Sequence, residues 1–272
     1  MREVAAVLQG LGDVAVAVSG GVDSMTLAVV AHRAPGVQAE MFHAVSPAVP
    51  PQATERVHRY VAHEGWNLRI IDAQEFADPD YLRNPVTRCF HCKSNLYSTI
   101  AALTHAHIVS GTNTDDLADY RPGLAAASAL NVYHPYVDAG VDKAGVRRIA
   151  HALGLDDLAE LPSAPCLSSR IETGLAIDPS VLSLVNEVER HLTATIAPKA
   201  VRCRVRADRV VVELDEATLD RLGPADRHRI VTDVANRWQR RGHARHVDLA
   251  PYRRGSTFLH PIQHTTKQEV TP

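Results

Sequence analysis

Cysteines with basic neighbours are the residues of this chain best suited to covalent chemistry. Only four cysteines occur among the 272 residues. Three of them lie beside or near a cation, in the pairs Arg88–Cys89, Cys92–Lys93 and Cys166–Arg170. Because the thiolate is the form that attacks carbon or binds metal, and nearby cations favour it, we expect these thiols to be ionised. The spacing of a close pair and a distant third predicts a metal site or reactive thiols rather than a disulfide.

A glycine-lined corner, SGGVDS at residues 19–24, follows an apolar run directly. Glycine lets the backbone approach an anion closely, and a following helix offers free N–H groups to it. The candidate ligands are Ser19, Gly20, Gly21, Asp23 and Ser24. The string is neither a Walker A loop nor G-x-G-x-x-G. By itself it is also compatible with a tight strand–helix turn in which Ser or Asp caps the helix.

Arginines and acids form a third set of candidates. Arg202 and Arg204 lie on one face of a predicted strand, and with Arg170 they could bind the phosphate and carboxylates of a substrate. The same two arginines are also compatible with a solvated hairpin face. Glu213, on the partner strand, could bind Mg²⁺ or pair with an arginine. Cys203 alternates away from its arginine neighbours, which predicts a buried structural thiol.

Alternating strands and helices would position these residues. Strands are predicted at 14–18, 37–45, 67–73 and 107–113, with helices at 25–33, 54–65 and 94–107 between or after them. This alternation predicts an α/β domain with a parallel sheet, whose ligands bind where strands end. The pattern changes near residue 140 to a hairpin at 200–214, a late strand at 243–249 and helices at 142–155, 181–192 and 218–242. We therefore predict domains at 1–145 (α/β) and 146–260 (smaller, α+β), and a disordered tail at 261–272.

Bulk composition excludes several classes of protein. Apolar residues make up 45% of the chain, the net charge is −2, and the pI is about 6.7. Such a balance points to neither a nucleic-acid-binding protein nor an anionic membrane surface. We find no signal-peptide h-region and no apolar run of membrane-spanning length, so the expected location is cytoplasmic.

The SGGVDS string after a strand resembles the PP-loop of the N-type ATP pyrophosphatases, which cleave ATP between the α and β phosphates. Three further stretches narrow the resemblance to the LarE family: NPVTRCFHCKSNLY, GTNTDDLADYRPG and PCLSSRIETG. Together with VRCRVR and YRRGS they extend the likeness over residues 14–256. The resemblance implies a Rossmann-like PP-loop domain, similar to the adenine-nucleotide alpha-hydrolases, with a smaller C-terminal domain for sulfur transfer, substrate binding and oligomerisation.

Nucleotide-site residues follow from the resemblance. The corner at 19–24 would grip the leaving pyrophosphate, with Mg²⁺ bridging phosphate oxygens. The segment from Gly111 to Arg121 would lie over ATP and metal, and its expected contacts are Gly111, Asn113, Asp115 and Arg121. For Asp116 a helix-capping role is the strong alternative. Asp119 belongs to the same acidic string.

LarE proteins are sulfur transferases that help to build the nickel-pincer nucleotide cofactor of lactate racemase and related enzymes. They adenylate a carboxylate of pyridinium-3,5-biscarboxylic acid mononucleotide, and a sulfur nucleophile then displaces AMP and leaves a thiocarboxylate. The resemblance therefore implies that this chain uses ATP, Mg²⁺, a sulfide donor and the pyridinium substrate. It also implies a homo-oligomer, since family members can form hexamers.

The sulfur has two possible origins in this family. Some members sacrifice the single cysteine of the CLxSR loop and keep dehydroalanine in its place. Others hold a 4Fe-4S cluster on three cysteines, with a sulfide carried on the fourth iron. Because Cys89, Cys92 and Cys166 are all present, we favour the cluster form, in which Arg170 supports Cys166. A zinc site would need a second close pair, and we expect His91 to be a surface residue.

Two departures from the family pattern affect the cysteine loop. Leu161-Pro162 stands where the family usually has Lys-Pro, and Ile171 to Gly174 replaces I-P-Y-G. Two rival functions also stay open. A PP-loop tRNA thiolase can use the same three cysteines, although the mild acidity of this chain and the lack of an added RNA-binding module argue against it. A non-catalytic nucleotide-binding partner is disfavoured by the intact SGGVDS string.

Overall fold

Four strands of the N-terminal half form one parallel sheet. The computed structural model describes residues 1–118 and 121–258. The strand order is β3-β2-β1-β4, and every pairing is parallel. The strands are β1 (Asp13–Ala17), β2 (Gln38–Ala44), β3 (Asn67–Ile71) and β4 (His107–Val109). The α/β fold class is confirmed.

Helices cover this sheet, as a parallel sheet requires on both faces. They are α1 (Arg2–Leu11), α2 (Val22–Arg33), α3 (Pro51–Glu64), α4 (Pro79–Leu82), α5 (Arg88–Leu103), α6 (Pro122–Ala129), α7 (Pro135–Asp138), α8 (Lys143–Ala152) and α9 (Asp156–Ala159). The first core contains β1, α2 and the inner faces of α8 and α9. Helix α1, which the sequence analysis missed, buries only Val4 and Leu8.

A second, three-stranded sheet organises the C-terminal half. Its order is β5-β6-β7, with β5 antiparallel to β6 and β6 parallel to β7. The elements are α10 (Pro179–Ile196), β5 (Val201–Val205), β6 (Arg209–Leu214), α11 (Glu216–Arg221), α12 (Pro224–Arg240) and β7 (His246–Pro251). They enclose a separate core that includes Val188, Leu192 and Trp238. The predicted hairpin and the smaller α+β part are confirmed.

The exact domain boundary stays a prediction. Residue 145 lies inside α8, and Val146 and Ile149 pack in the core of the first sheet. The predicted tail at 261–272 and Asp119 lie outside the described residues. None of the helices in the described ranges combines the length and apolarity needed to cross a bilayer.

The cysteine pair lies in a different setting from the one predicted. We expected the helix to start at residue 94, after the C-x-x-C pair, whereas α5 starts at Arg88. A turn in which the Arg88 N–H donates to the Pro85 carbonyl, at 2.9 Å, leads into the helix. Cys89 and Cys92 therefore lie three residues apart on one face of its first turns, where their relative positions are fixed by the helix.

Candidate nucleotide and sulfur site

The SGGVDS corner joins the end of β1 to the start of α2. Gly20 has φ of +78°, and a Cβ there would lie 2.7 Å from the Ala53 carbonyl oxygen. Glycine is therefore required both by backbone conformation and by the approach of α3. Gly21 is the N-cap of α2 and supplies no side chain to bond the first N–H groups of the helix. These groups form a site suited to an anion.

The two serines of the corner, Ser19 and Ser24, are hydrogen-bonded to each other. Ser24 Oγ accepts from the Ser19 N–H at 3.0 Å and lies 3.0 Å from Ser19 Oγ. The Gly21 N–H donates to Ser19 Oγ at 3.3 Å. These local bonds fix the turn. None of them uses the N–H groups at the start of α2.

Asp23 connects the corner to the acidic string. Its carboxylate accepts from Lys143 Nζ at 2.5 Å and from Asn113 Nδ2 at 3.3 Å. Gly111 packs so closely that a Cβ there would lie 2.7 Å from the Ser24 nitrogen. The structure thus brings Gly111 and Asn113 against residues 23–24. This proximity is a condition of the prediction that they contact the same nucleotide as the corner.

The two following aspartates differ in their roles. Asp116 Oδ2 accepts from the Asn113 N–H at 3.1 Å in a capping box, and its other oxygen pairs with Arg121 at 2.7 Å. Capping is therefore the observed role of Asp116, as the alternative proposed. Asp115 Oδ2 accepts from the Lys143 N–H at 3.2 Å, which ties this carboxylate to the start of α8.

Sequence reasoning missed two cations at this corner. Lys143 pairs with Asp23, and Arg56 Nη1 donates to the Gly20 carbonyl at 2.6 Å. Burial lowers the pKa of Arg56. Lys143 could have been found, because it is one of only four lysines and follows the helix cap Asp142 at the C-terminal side of the sheet. Arg56 carries no local signal, since only the packing of α3 brings it to Gly20.

Three cysteines interact electrostatically with one another where α5 meets the loop of Cys166, a region we call the cysteine pocket. Cys92, on α5, and Cys166, which is the N-cap of the 3₁₀ helix Leu167–Arg170, both pack against the second core. Cys166 acts electrostatically on both Cys89 and Cys92. All four cysteines are free thiols. Cys203 is fully buried, which confirms its prediction as a structural thiol.

Burial outweighs the basic neighbours of the cysteine pair. It raises the pKa of Cys89, although the Arg88 charge opposes the shift. It raises the pKa of Cys92 to about 12, although Lys93 opposes it. The expectation that these two thiols are ionised is therefore wrong. A metal bound there must displace the proton, which couples its affinity to pH.

Arg170 holds the cysteine loop from inside. Its guanidinium is buried and donates to both carboxylate oxygens of Glu189, at 3.0 and 2.9 Å. It also donates to the Cys166 carbonyl at 3.0 Å, and to Ser169 and Pro165. These bonds make Arg170 a positioning residue for Cys166, while a direct catalytic contact stays a prediction.

The other two arginines are not equivalent. Arg204 is buried and pairs with Glu213 at 3.0 Å, and its remaining donors reach the carbonyls of Ser169 and Arg253. Of the two alternatives for Glu213, pairing with an arginine is the arrangement observed. Arg202 is partly exposed; it donates to the Val201 and Ser163 carbonyls and lies 5.7 Å from the Tyr252 ring centroid. Arg202 is thus the one of the three whose guanidinium is best placed to reach a ligand.

Two segments connect the phosphate corner to the cysteine pocket. The segment 46–53 follows β2: its Ala53 packs on Gly20, and its Ala48 carbonyl accepts from the Leu167 N–H at 2.8 Å. At the start of α6, a Cβ on Gly123 would lie 3.0 Å from Lys93 Cγ and 3.5 Å from the Cys89 carbonyl. Both parts therefore lie at the carboxyl edge of the first sheet.

Among the described residues, the cysteines do not form a site for a single metal ion. Within the described ranges, the group of metal-ligating side chains whose ligand atoms all lie within 4.8 Å is Asp78, Asp80 and His91. Each carboxylate of this group already has a protein partner, Asn95 for Asp78 and Arg83 for Asp80. His91 is partly buried rather than on the open surface.

Sequence comparison agrees with this geometry. No family model matches the chain. It is 36% identical over 203 residues to the uncharacterized protein slr1717 of Synechocystis sp., covering 73% of this chain and 75% of that protein. It is 27% identical over 221 residues to the pyridinium-3,5-bisthiocarboxylic acid mononucleotide synthase of Lactiplantibacillus plantarum, covering 79% of each chain. Over 192 residues it is 27% identical to a subunit of the glutamine-hydrolyzing GMP synthase of Methanopyrus kandleri, covering 63% of this chain and 60% of that one.

The parallel sheet with the glycine corner at its carboxyl edge is consistent with a Rossmann-like PP-loop domain. The chain belongs to the family of the Synechocystis protein slr1717.

Proposed function

We propose that this protein is an ATP-dependent sulfur transferase of nickel-pincer nucleotide synthesis. It converts the carboxylates of pyridinium-3,5-biscarboxylic acid mononucleotide to thiocarboxylates. The observation that carries the proposal is the shared edge: the segment 46–53 contacts both Gly20 of the corner and Leu167 of the cysteine loop. The name of the Lactiplantibacillus relative, a pyridinium-3,5-bisthiocarboxylic acid mononucleotide synthase, supports the same chemistry.

The corner supplies the first half of the reaction. A substrate carboxylate oxygen attacks the α phosphorus of ATP, and the bond to the bridging oxygen of the β phosphate breaks. The N–H groups at the start of α2 and the cations Lys143 and Arg56 stabilise the negative charge of the leaving pyrophosphate. Asp115 is the candidate residue to hold Mg²⁺, which would add to the stabilisation of the phosphate charge.

The cysteine pocket supplies the second half. A sulfur nucleophile attacks the acyl carbon of the adenylate, the C–O bond to AMP breaks, and the thiocarboxylate keeps the sulfur. Arg170 holds the loop of Cys166 in place, and Arg202 is our candidate contact for an anionic group of the substrate.

The donor set fits a 4Fe-4S cluster better than a single ion. Cys89, Cys92 and Cys166 are soft ligands in one pocket, yet their sulfurs do not form one of the tight groups that a single ion requires in the described chain. The buried Nη2 of Arg88 also lacks a hydrogen-bond partner among the described residues. When bound on three cysteines, such a cluster keeps one iron open to an external sulfur ligand.

Anaerobic turnover tests the function. Purified protein is incubated with Mg-ATP, sulfide and the pyridinium biscarboxylate mononucleotide, and pyrophosphate and thiocarboxylate are quantified in parallel with iron. We expect pyrophosphate release to depend on the mononucleotide. Release that depends instead on tRNA would overturn the proposal in favour of a tRNA thiolase. An iron-free protein that still forms product and converts Cys166 to dehydroalanine would replace the cluster by the sacrificial route.

A further inference from the structure

Buried polar atoms without a partner concentrate around the cysteine pair. Five such side-chain atoms occur in the described part of the chain. Two of them, Arg88 Nη2 and Glu75 Oε2, belong to residues that act electrostatically on Cys89 and Cys92, respectively. An unpaired buried donor on a charged group is costly, because its hydration is lost without replacement, so a fold rarely keeps one without a use.

The Arg88 side chain forms its hydrogen bonds in the described structure through one terminal nitrogen, Nη1. Its Nη1 donates to Asn84 Oδ1 and to the Ser168 carbonyl, at 3.1 Å for the latter. The guanidinium is 2% exposed and lies 5.4 Å from the centroid of the Phe258 ring, which covers it. The anchor thus fixes the guanidinium plane, while Nη2 has no hydrogen-bond partner within the described structure. The Arg88 side chain acts on the neighbouring Cys89 thiol, where it opposes the rise of the pKa that burial causes.

The same anchor connects both cysteine-bearing segments. Arg88 is the first residue of α5 and precedes Cys89, and its bond to the Ser168 carbonyl reaches the loop that carries Cys166. The other charged groups facing the pair are Lys93 and Glu75. Lys93 lies 5.4 Å from the Tyr97 ring centroid, so its charge is already engaged.

We propose that Arg88 is the positioning residue that donates Nη2–H to a sulfur atom of the iron–sulfur group held by Cys89, Cys92 and Cys166. This inference rests on the proposed function. Neutral thiols are poor hydrogen-bond acceptors, whereas metal-bound thiolate and sulfide are good ones, so Nη2 gains an acceptor only when the group is bound. The donated bond and the positive charge lower the energy of the more negative, reduced state. They therefore raise the reduction potential.

Two substitutions at Arg88 and one control test this role in the cluster-loaded protein. Arg88→Gln removes the charge and the second donor nitrogen, whereas Arg88→Lys keeps the charge. Arg147→Gln is the control, since Arg147 also donates to backbone carbonyls, those of Ala159 at the end of α9 and of Leu161, but it lies on α8, away from the cysteine pair. The readouts are the midpoint potential from EPR-monitored titration and the rate of iron loss to a chelator.

We expect Arg88→Gln to shift the midpoint potential to more negative values and to speed iron loss at least several-fold. Arg88→Lys should shift the potential less, and Arg147→Gln should match wild type in both. An Arg88→Gln protein that keeps the wild-type potential would overturn the Arg88 inference alone. A wild-type protein that takes up no cluster would overturn both this inference and the cluster form of the proposed function, and only in that case would all variants be iron-free.

Discussion

The phosphate corner and the cysteine pocket are built in opposite ways. The corner consists of six consecutive residues whose hydrogen bonds are mostly local, such as the contacts between Ser19 and Ser24. The pocket combines α5 with a loop more than 70 residues further along the chain, and it contains a buried donor without a partner in the described structure. The corner is therefore fixed by contacts between residues close in sequence, whereas the pocket depends on contacts between distant segments.

This difference predicts that substitutions in the two regions have different effects. Changes in the corner should weaken nucleotide binding directly. Changes around the pocket should first destabilise the loop of Cys166, because buried ion pairs fix it.

The largest stability effect is expected at the pair that supports the cysteine loop. Glu189→Ala leaves the buried Arg170 charge without its carboxylate, and breaking a buried pair costs about 3–5 kcal/mol. Asp226→Ala, which breaks the exposed pair with Arg229, should cost about 0–1 kcal/mol. Urea unfolding of both variants measures the difference. Equal free energies of unfolding would show that the loop does not depend on this pair.

A second comparison separates two costs of replacing a glycine: the cost of its backbone conformation and the cost of a close contact. Gly20 and Gly36 both have φ of +78°, but a Cβ meets Ala53 only at Gly20, and it meets nothing within 4 Å at Gly36. Gly36→Ala should therefore cost about 1 kcal/mol for the backbone alone. Gly20→Ala should cost about 1–3 kcal/mol and also weaken ATP binding, because α3 and Arg56 must shift.

Calorimetric titration with ATP, beside thermal unfolding, checks this pair of variants. If Gly20→Ala and Gly36→Ala bind ATP with equal affinity, the close approach of Ala53 has no part in shaping the phosphate site.

The smallest effect concerns pH. His43 Nδ1 lies 2.8 Å from the Val18 carbonyl and Nε2 lies 2.9 Å from Thr54 Oγ1, which ties the end of β1 to α3. Burial lowers the pKa of His43 below its ordinary value of 6.5. The folded state thus holds fewer protons than the unfolded state. The stability that His43 contributes is present above pH 6.5 and is lost as pH falls through the lowered pKa.

His43→Gln should be less stable than wild type by about 1 kcal/mol at pH 7.5, because its hydrogen bonds are lost. At pH 5 the gap should narrow, since wild type then has to protonate a buried ring. Melting temperatures at the two pH values provide the measurement, and a gap that stays constant would contradict the assignment.

The sequence predicted the corner well because its geometry is local. Glycine positions, the apolar strand and the following helix are all encoded within residues 14–33, and the structure places them as expected. The proximity of Gly111 and Asn113 to the corner was also predictable, since they directly follow a strand of the same sheet; their role in a nucleotide site stays a prediction.

The pocket was predicted only in outline, because burial is a property of the whole fold. The sequence showed cations next to Cys89 and Cys92, but it could not show that desolvation would outweigh them. It showed Arg170 as a candidate ligand for anions, whereas its buried partner Glu189 lies on another element, α10. The pairing of Glu213 with an arginine, by contrast, was one of the two alternatives given for that residue. The helix start at Arg88 was missed, since the helix was predicted to begin only after the C-x-x-C pair, at residue 94.

Single-turnover analysis of a Cys166→Ser protein tests the central claim, that ATP cleavage and sulfur transfer are performed by two separate regions of one site. The protein is mixed anaerobically with Mg-ATP, sulfide and the pyridinium biscarboxylate mononucleotide, with Cys203→Ala as the control. We predict that Cys166→Ser still releases pyrophosphate but forms no thiocarboxylate, whereas Cys203→Ala does both. Thiocarboxylate formation by Cys166→Ser at the wild-type rate would contradict the account.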